Sequence, residues 1–221
     1  MGDRLVQAIV LVPDLASARR QMETLGLTVL DGGRHPGRGT ANLIVAFGQQ
    51  YLELLAIVDE AEALSSPQGR PVAAALKRRG PGLARWSVET DDIDAAARRV
   101  GYPVEERHRI LGSGHAIRWR SVAVDATWEQ PWRCAFMAWD DPEMHPARSG
   151  GGEAHPNGAT GFARLDVAVP DCDALLGWIG AEVPDGVVAS SISPVSPTLP
   201  VGEAGPTRLV LASPGGPIAV A

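Results

Sequence analysis

Lysine is almost missing from this sequence. Of 20 basic residues, Lys77 alone is not arginine, a bias that the base composition of a GC-rich gene explains. Cysteine is scarce too. Cys134 and Cys172 are too few and too isolated for a disulfide framework or a thiolate metal site. Each reads as a small buried hydrophobe in a reducing, cytoplasmic compartment. Long apolar runs are absent, the longest being short pieces such as residues 41–47, whereas a membrane helix needs roughly 18 or more. The first residues lack a basic stretch followed by an apolar one, so no signal peptide is expected. Val6 stands where myristoylation needs Ser or Thr. There is no excess of positive charge: the net charge is −6 and the pI about 5.4, which speaks against a nucleic-acid partner. Phosphate-binding glycine loops and a GxSxG elbow are also lacking, which removes nucleotide and serine-hydrolase chemistry.

What is present is a globular composition, 221 residues of which 45% are hydrophobic and 21% charged. A chain of this length buries roughly 70% of its unfolded surface and needs no staples. It also contains a repeat. An apolar or alternating run ends in Asp14, Asp92 and Asp171, at spacings of 78 and 79 residues. Each run reads as a strand, and each Asp stands where a helix N-cap belongs. Gly26, Gly101 and Gly180 are placed to end the three helices. Strand-like runs follow at residues 28–30, 41–47 and 51–58 in the first copy, and at 104–110, 115–124 and 133–139 in the second. The unit is therefore βαβββ. The third copy is degraded: runs at residues 187–193, 208–212 and 217–221 are separated by Pro- and Gly-rich stretches. The expected layout is α+β: module one at residues 1–60, a connecting segment at 61–80 and module two at 81–145. A Gly/Pro-rich loop follows at 146–160, then a partial third module at 161–221 packed on the others.

A duplicated βαβββ unit with an Asp-capped helix resembles the vicinal oxygen chelate superfamily of glyoxalases, extradiol dioxygenases, epimerases and antibiotic-binding proteins. The likeness is to a glyoxalase-like subgroup. It is carried by Gly33-Arg34-His35-Pro36-Gly37-Arg38-Gly39-Thr40-Ala41-Asn42, by Tyr51-Leu52-Glu53-Leu54, by Gly114-His115-Ala116-Ile117-Arg118-Trp119, by Ala135-Phe136-Met137-Ala138-Trp139-Asp140 and by His155-Pro156-Asn157-Gly158-Ala159-Thr160. The resemblance implies an open curled sheet, a cup, with a divalent metal held by the first and last strands of each module. Those four positions fall here on Gln7, Glu53, Arg85 and Ala138. Gln is a weak ligand, and Arg and Ala cannot ligate, so neither a metal nor another cofactor is expected.

Glu53 interrupts the apolar strand at residues 51–57, and alternation puts Tyr51, Glu53 and Leu55 on one face. An inward carboxylate needs a partner, and Arg85 is the expected one, a guanidinium in place of a metal cation. His35 lies in a Gly-rich run with Arg38, Thr40 and Asn42, and reads either as an acid/base at the rim or as part of a solvated turn. His145 and His155 could join His35 and Glu53 in an alternative metal site. The reading is a small-molecule cup with Glu53 and His35 as proton-moving groups and with Gln7, Arg38, Thr40, Asn42, Arg85, Trp119 and Trp139 as ligand-binding residues. The resemblance implies lyase- or isomerase-type proton transfer on a small polar organic compound, or else non-catalytic sequestration of a small molecule. It is also compatible with a homodimer.

Overall fold

The computed structural model describes residues 3–110, 116–141, 145–148, 154–180, 182–191 and 204–220. In chain order the elements are β1 (Arg4–Leu11), α1 (Leu15–Thr24), β2 (Leu30–His35), β3 (Thr40–Ala46), β4 (Tyr51–Ile57), α2 (Glu60–Ser65) and α3 (Gly69–Arg79). They continue with β5 (Gly82–Glu89), α4 (Ile93–Val100), β6 (Val104–Ile110), β7 (Ala116–Val122), α5 (Ala126–Glu129), β8 (Ala135–Trp139), β9 (Gly161–Val169), α6 (Cys172–Ile179), β10 (Val187–Ser191), β11 (Gly205–Ala212) and β12 (Ile218–Ala219). No described helix is long and apolar enough to cross a membrane.

The three marker aspartates each start a helix. Asp14 accepts from the Ser17 N–H at 2.7 Å, Asp92 from Ala95 at 2.8 Å and Asp171 from Asp173 at 3.2 Å. These bonds satisfy first-turn donors that have no partner within the helix. In both full modules the last strand returns parallel to the first, β4 on β1 and β8 on β5, and β1 pairs antiparallel with β5. The result is one curled eight-stranded sheet in the order β2-β3-β4-β1-β5-β8-β7-β6, with the two modules related across the β1–β5 seam.

The convex face carries the main core. Ala8, Val10, Leu52, Leu54, Trp86, Val88 and Phe136 meet apolar residues of α1, α4 and α6 and those of a second sheet. That sheet, β10-β9-β11-β12, is the third copy. It keeps the strand–cap–helix opening but not the rest of the unit. After Gly180, among the described residues, β10 takes the parallel place beside β9 itself.

Several boundaries differ from expectation. Residues 33–35 are strand, not loop, because β2 runs to His35. The stretch taken as a connector contains α2 and α3, whose short apolar stripes (Ala63; Val72, Ala75) left a weak periodic signal. Gly205 and Pro206 open β11 rather than a loop. Gly114 and His115 of the family-like run lie outside the described residues.

Candidate functional site

Register fixes which side chains share the concave face. Ile9 of β1 is opposite both Glu53 of β4 and Arg85 of β5. Gln7 is opposite Tyr51 and Ser87, and Asn42 of β3 is opposite Leu55. Directly paired residues point to the same side, so Gln7, Asn42, Glu53, Arg85 and Ser87 all line the cup.

Both ends of this face are apolar. At one end Ile9, Leu11 and Leu55 pack against Val72 and Ala75 of α3 and Trp128 of α5. At the other, Val6, Ile44 and Tyr51 pack against Ala147. Between these plugs lies a polar band. Gln7, Asn42, Ser87 and Arg85 are buried, and Glu53 is only partly so. The carboxylate is therefore where the band meets the open side.

The hydrogen bonds of the band are ordered. The Ser87 hydroxyl donates to Gln7 Oε1 at 2.8 Å, which turns the Gln7 amide nitrogen toward Glu53. Gln7 Nε2 donates to Glu53 Oε2 at 2.6 Å, and Asn42 Nδ2 donates to Glu53 Oε1 at 2.8 Å. Each carboxylate oxygen thus holds one amide donor and keeps a lone pair. Asn42 reaches this position because Gly32 has no side chain. A Cβ on Gly32 would stand 2.0 Å from Asn42 Oδ1.

The expected ion pair between Glu53 and Arg85 is not formed. The two residues share a face, but Ile9 lies between them, and two strand spacings separate their backbones by about 10 Å. The amides of Gln7 and Asn42 reach the carboxylate first. Arg85 instead donates from Nη1 to the Val124 carbonyl at 3.3 Å and stacks 5.0 Å from the centre of the Trp128 ring. Its Nε has no partner among the described residues. Burial pushes its pKa down to about 10, with the charge of Glu53 opposing that shift.

Arg38 and Arg107 complete a basic corner. Arg107, on the Trp119-facing side of β6, donates to Ser121 Oγ and pairs with Glu105 and, at 4.0 Å, with Asp125. Arg38 sits at the tip of the β2–β3 turn, its pKa lowered by desolvation and by Arg107 and raised by Asp125 and Glu53. His35 and Thr40 form the last rung of β2–β3, with His35 Nδ1 2.9 Å from Thr40 Oγ1. Thr40 is buried.

Trp119 and Trp139 are opposite one another on β7 and β8 and stack at 5.1 Å. They reach the band through a residue that was expected only as a metal ligand. The His145 ring lies 4.9 Å from Trp139 and 5.5 Å from Tyr51, both edge-on. Ala147 N–H donates to His145 Nδ1 at 3.0 Å. Burial pushes the His145 pKa down to about 4, so the neutral ring carries its proton on Nε2, which has no partner among the described residues. His155 is structural. Its Nδ1 accepts from Thr28 N–H, and its Nε2 lies 3.1 Å from the Ala46 carbonyl, on which it acts as donor. With both nitrogens engaged it is not available to a metal.

The strand register also corrects one ligand position. Ile9 pairs with Glu53 five residues before Asp14, and Ser87 pairs with Ala135 five residues before Asp92. The equivalent of Glu53 is therefore Ala135, not Ala138, which points away from the cup with Arg120. Gln7, Glu53, Arg85 and Ala135 offer one good oxygen ligand, and this donor set does not fit the metal of the superfamily. Among the described residues no cluster of three His, Cys, Asp or Glu side chains could hold a metal ion. An open cleft of about 930 Å³ lies elsewhere, lined in part by Asp3, Arg4, Gln50 and Asp185, and shares no residue with the polar band.

Residues 8–183 match the family of glyoxalase-like domains. The chain belongs to that family. Among curated proteins none matches the sequence. Among solved structures, this glyoxalase-like domain is similar to a hypothetical protein from Staphylococcus aureus, with 13% identity and a TM-score of 0.59 over 80% of this chain and 75% of that one. Methylmalonyl-CoA epimerase from Mycobacterium tuberculosis matches at 21% identity and a TM-score of 0.42, over 62% of this chain and 86% of the other. The Streptomyces coelicolor epimerase, in complex with 2-nitronate-propionyl-CoA, matches at 18% identity and 0.44, over 64% and 100%. At these identities the likeness concerns the fold.

Proposed function

We propose that this glyoxalase-like domain binds a small polar organic molecule in its cup and moves a proton on it, in lyase- or isomerase-type chemistry, with Glu53 as the proton-transferring group. The observation that carries this reading is the suspended carboxylate. Glu53 is partly exposed on the concave face, and each of its oxygens is held by one neutral amide. A carboxylate tied to arginine would have its lone pairs occupied by charged donors. Here each oxygen keeps a lone pair that can accept a proton.

The step is a carbon-acid ionisation. The C–H bond next to a substrate carbonyl breaks, its electron pair moves onto the carbonyl oxygen, and Glu53 takes the proton. Return of that proton to another face or atom gives isomerisation; expulsion of a leaving group from the neighbouring carbon gives elimination. Because Ser87 and Gln7 fix the carboxylate from below, its position does not depend on the substrate. His35 and Thr40 occupy the rim beside Arg38, and Trp119 and Trp139 supply a flat apolar wall.

The test is an NMR screen of small oxo, hydroxy and amino acids and their amides for product formation by the purified protein. A compound is expected to be converted by the wild-type chain and left at the uncatalysed rate by Glu53→Gln. Binding without conversion across the panel would replace this reading by sequestration.

A further inference from the structure

We propose that the cup takes a small carboxylate, and that Arg85 is the fixed cation that binds it and stabilises the oxyanion formed when Glu53 removes a proton. This rests on the proton-transfer reading above and adds the charge of the substrate to it.

Several buried hydrogen-bonding groups at the cup are unmatched. Among the described residues, three buried N–H donors on or beside the concave face have no acceptor: Arg85 Nε, Trp139 Nε1 and His145 Nε2. One acceptor, Asn42 Oδ1, has no donor. Buried polar groups are nearly always paired, so unmatched donors on the concave side suit an acceptor-rich guest. Such a guest carries oxygen atoms and no N–H groups of its own, as a carboxylate does.

Charge points the same way. Among the described residues, no carboxylate lies within 4.0 Å of the Arg85 guanidinium, and the side chain is 4% exposed. Leaving a buried charge without a counter-ion is costly, and the Val124 carbonyl and the Trp128 ring offset only part of that cost. Arg107, by contrast, already holds Glu105 and approaches Asp125. Among the described residues Arg85 is thus a buried cation with no anion in salt-bridge range.

Its place in the fold gives it a task. Arg85 stands where the superfamily resemblance puts a metal ligand, and the donor set does not fit a metal. A guanidinium supplies the same electrostatic service, a positive charge fixed beside the developing oxyanion, without a coordination shell. In the step, the C–H bond breaks, the electron pair moves onto the substrate oxygen facing Arg85, and Glu53 holds the proton until it is returned. Nothing is oxidised or reduced.

The experiment compares malonate with its neutral diamide, malonamide, by calorimetric titration of the full chain and by tryptophan fluorescence, since Trp128 lies against Arg85. Malonate is expected to bind at least tenfold more tightly than malonamide. Arg85→Met, which fills the same space without a charge, should lose at least tenfold in malonate affinity while keeping its circular dichroism spectrum, and Arg85→Lys should recover part of the loss. Should Arg85→Met fail to fold, the comparison of malonate with malonamide on the wild-type chain still decides. Equal affinity for the two compounds, absence of malonate binding, or an Arg85→Met variant that binds malonate like wild type would overturn the inference. Glu53-dependent conversion of neutral compounds alone would also overturn it, yet leave the proton-transfer reading intact. Arg85-dependent malonate binding with no conversion of any compound would overturn the proton-transfer reading and with it the oxyanion role of Arg85, leaving the carboxylate site standing.

Discussion

His145 shows how much one side chain can carry without standing out in a sequence. It links Tyr51 to Trp139, and its ring is kept neutral by burial. Its folded pKa of about 4 lies below the ordinary 6.5. Between those values the unfolded chain binds the proton and the folded one does not. Stability is therefore complete above about pH 6.5 and falls as the pH drops toward 4, by at most about 3 kcal/mol. His145→Phe should flatten that part of the curve, read as the difference in urea midpoint between the two proteins at pH 7 and pH 4.5. Parallel curves would show that His145 is not the group responsible. At the same scale, alternation made Glu53 legible as an inward carboxylate, but its partners were not. Arg85 was the obvious counter-charge, yet amides on the two neighbouring strands, each two positions away in the register, reached it first. Pairing of this kind depends on lateral order in the sheet, which a single strand does not reveal.

The elements were legible where a local rule fixed them. The three aspartate caps and their glycine stops follow from capping and are formed; the strand expected at residues 28–30 begins only at Leu30. The β2–β3 run was harder, because its glycines serve a tertiary purpose. Gly32 makes room for Asn42, and Gly39 lets the turn lie on α2. Gly39 has φ +65°, and a Cβ there would stand 2.2 Å from the Asp59 carbonyl oxygen and 2.3 Å from the Ala63 nitrogen. Gly37 has a similar φ of +72° with nothing within 4 Å. Gly37→Ala should therefore cost about 1 kcal/mol, the strain of the left-handed conformation alone. Gly39→Ala should cost about 3 kcal/mol, since backbone atoms must also move. Chemical denaturation of both variants checks this, and equal losses would mean that the turn does not rest on α2. Helices α2 and α3 escaped the sequence reading because they are short and mostly solvated on their outer faces. Helix α3, with Trp128 of α5, nevertheless closes one end of the cup.

At the scale of the molecule, a duplication at near-constant spacing was enough to give the two βαβββ units, and the family resemblance implied the curled sheet; the β1–β5 seam was not legible in the sequence. The duplication was not enough to give the third unit, where the same strand–cap–helix opening leads to a different strand order. The cup inherits its shape from the family and its chemistry from four positions, of which Glu53 is the one good ligand left. Two apolar plugs isolate a band in which Ser87, Gln7 and Asn42 hold Glu53 while Arg85 waits unpaired. The most direct test of that account is solvent-deuterium incorporation. A compound converted by the protein is incubated in D₂O with the wild-type chain or with Glu53→Gln, and its C–H resonances are followed by proton NMR. The variant should remain folded, since Asn42, with a free Oδ1, can turn its amide to meet the introduced one. The account predicts deuterium at the carbon next to the substrate carbonyl with the wild-type chain and none above the uncatalysed rate with the variant. Equal incorporation with both proteins would contradict it.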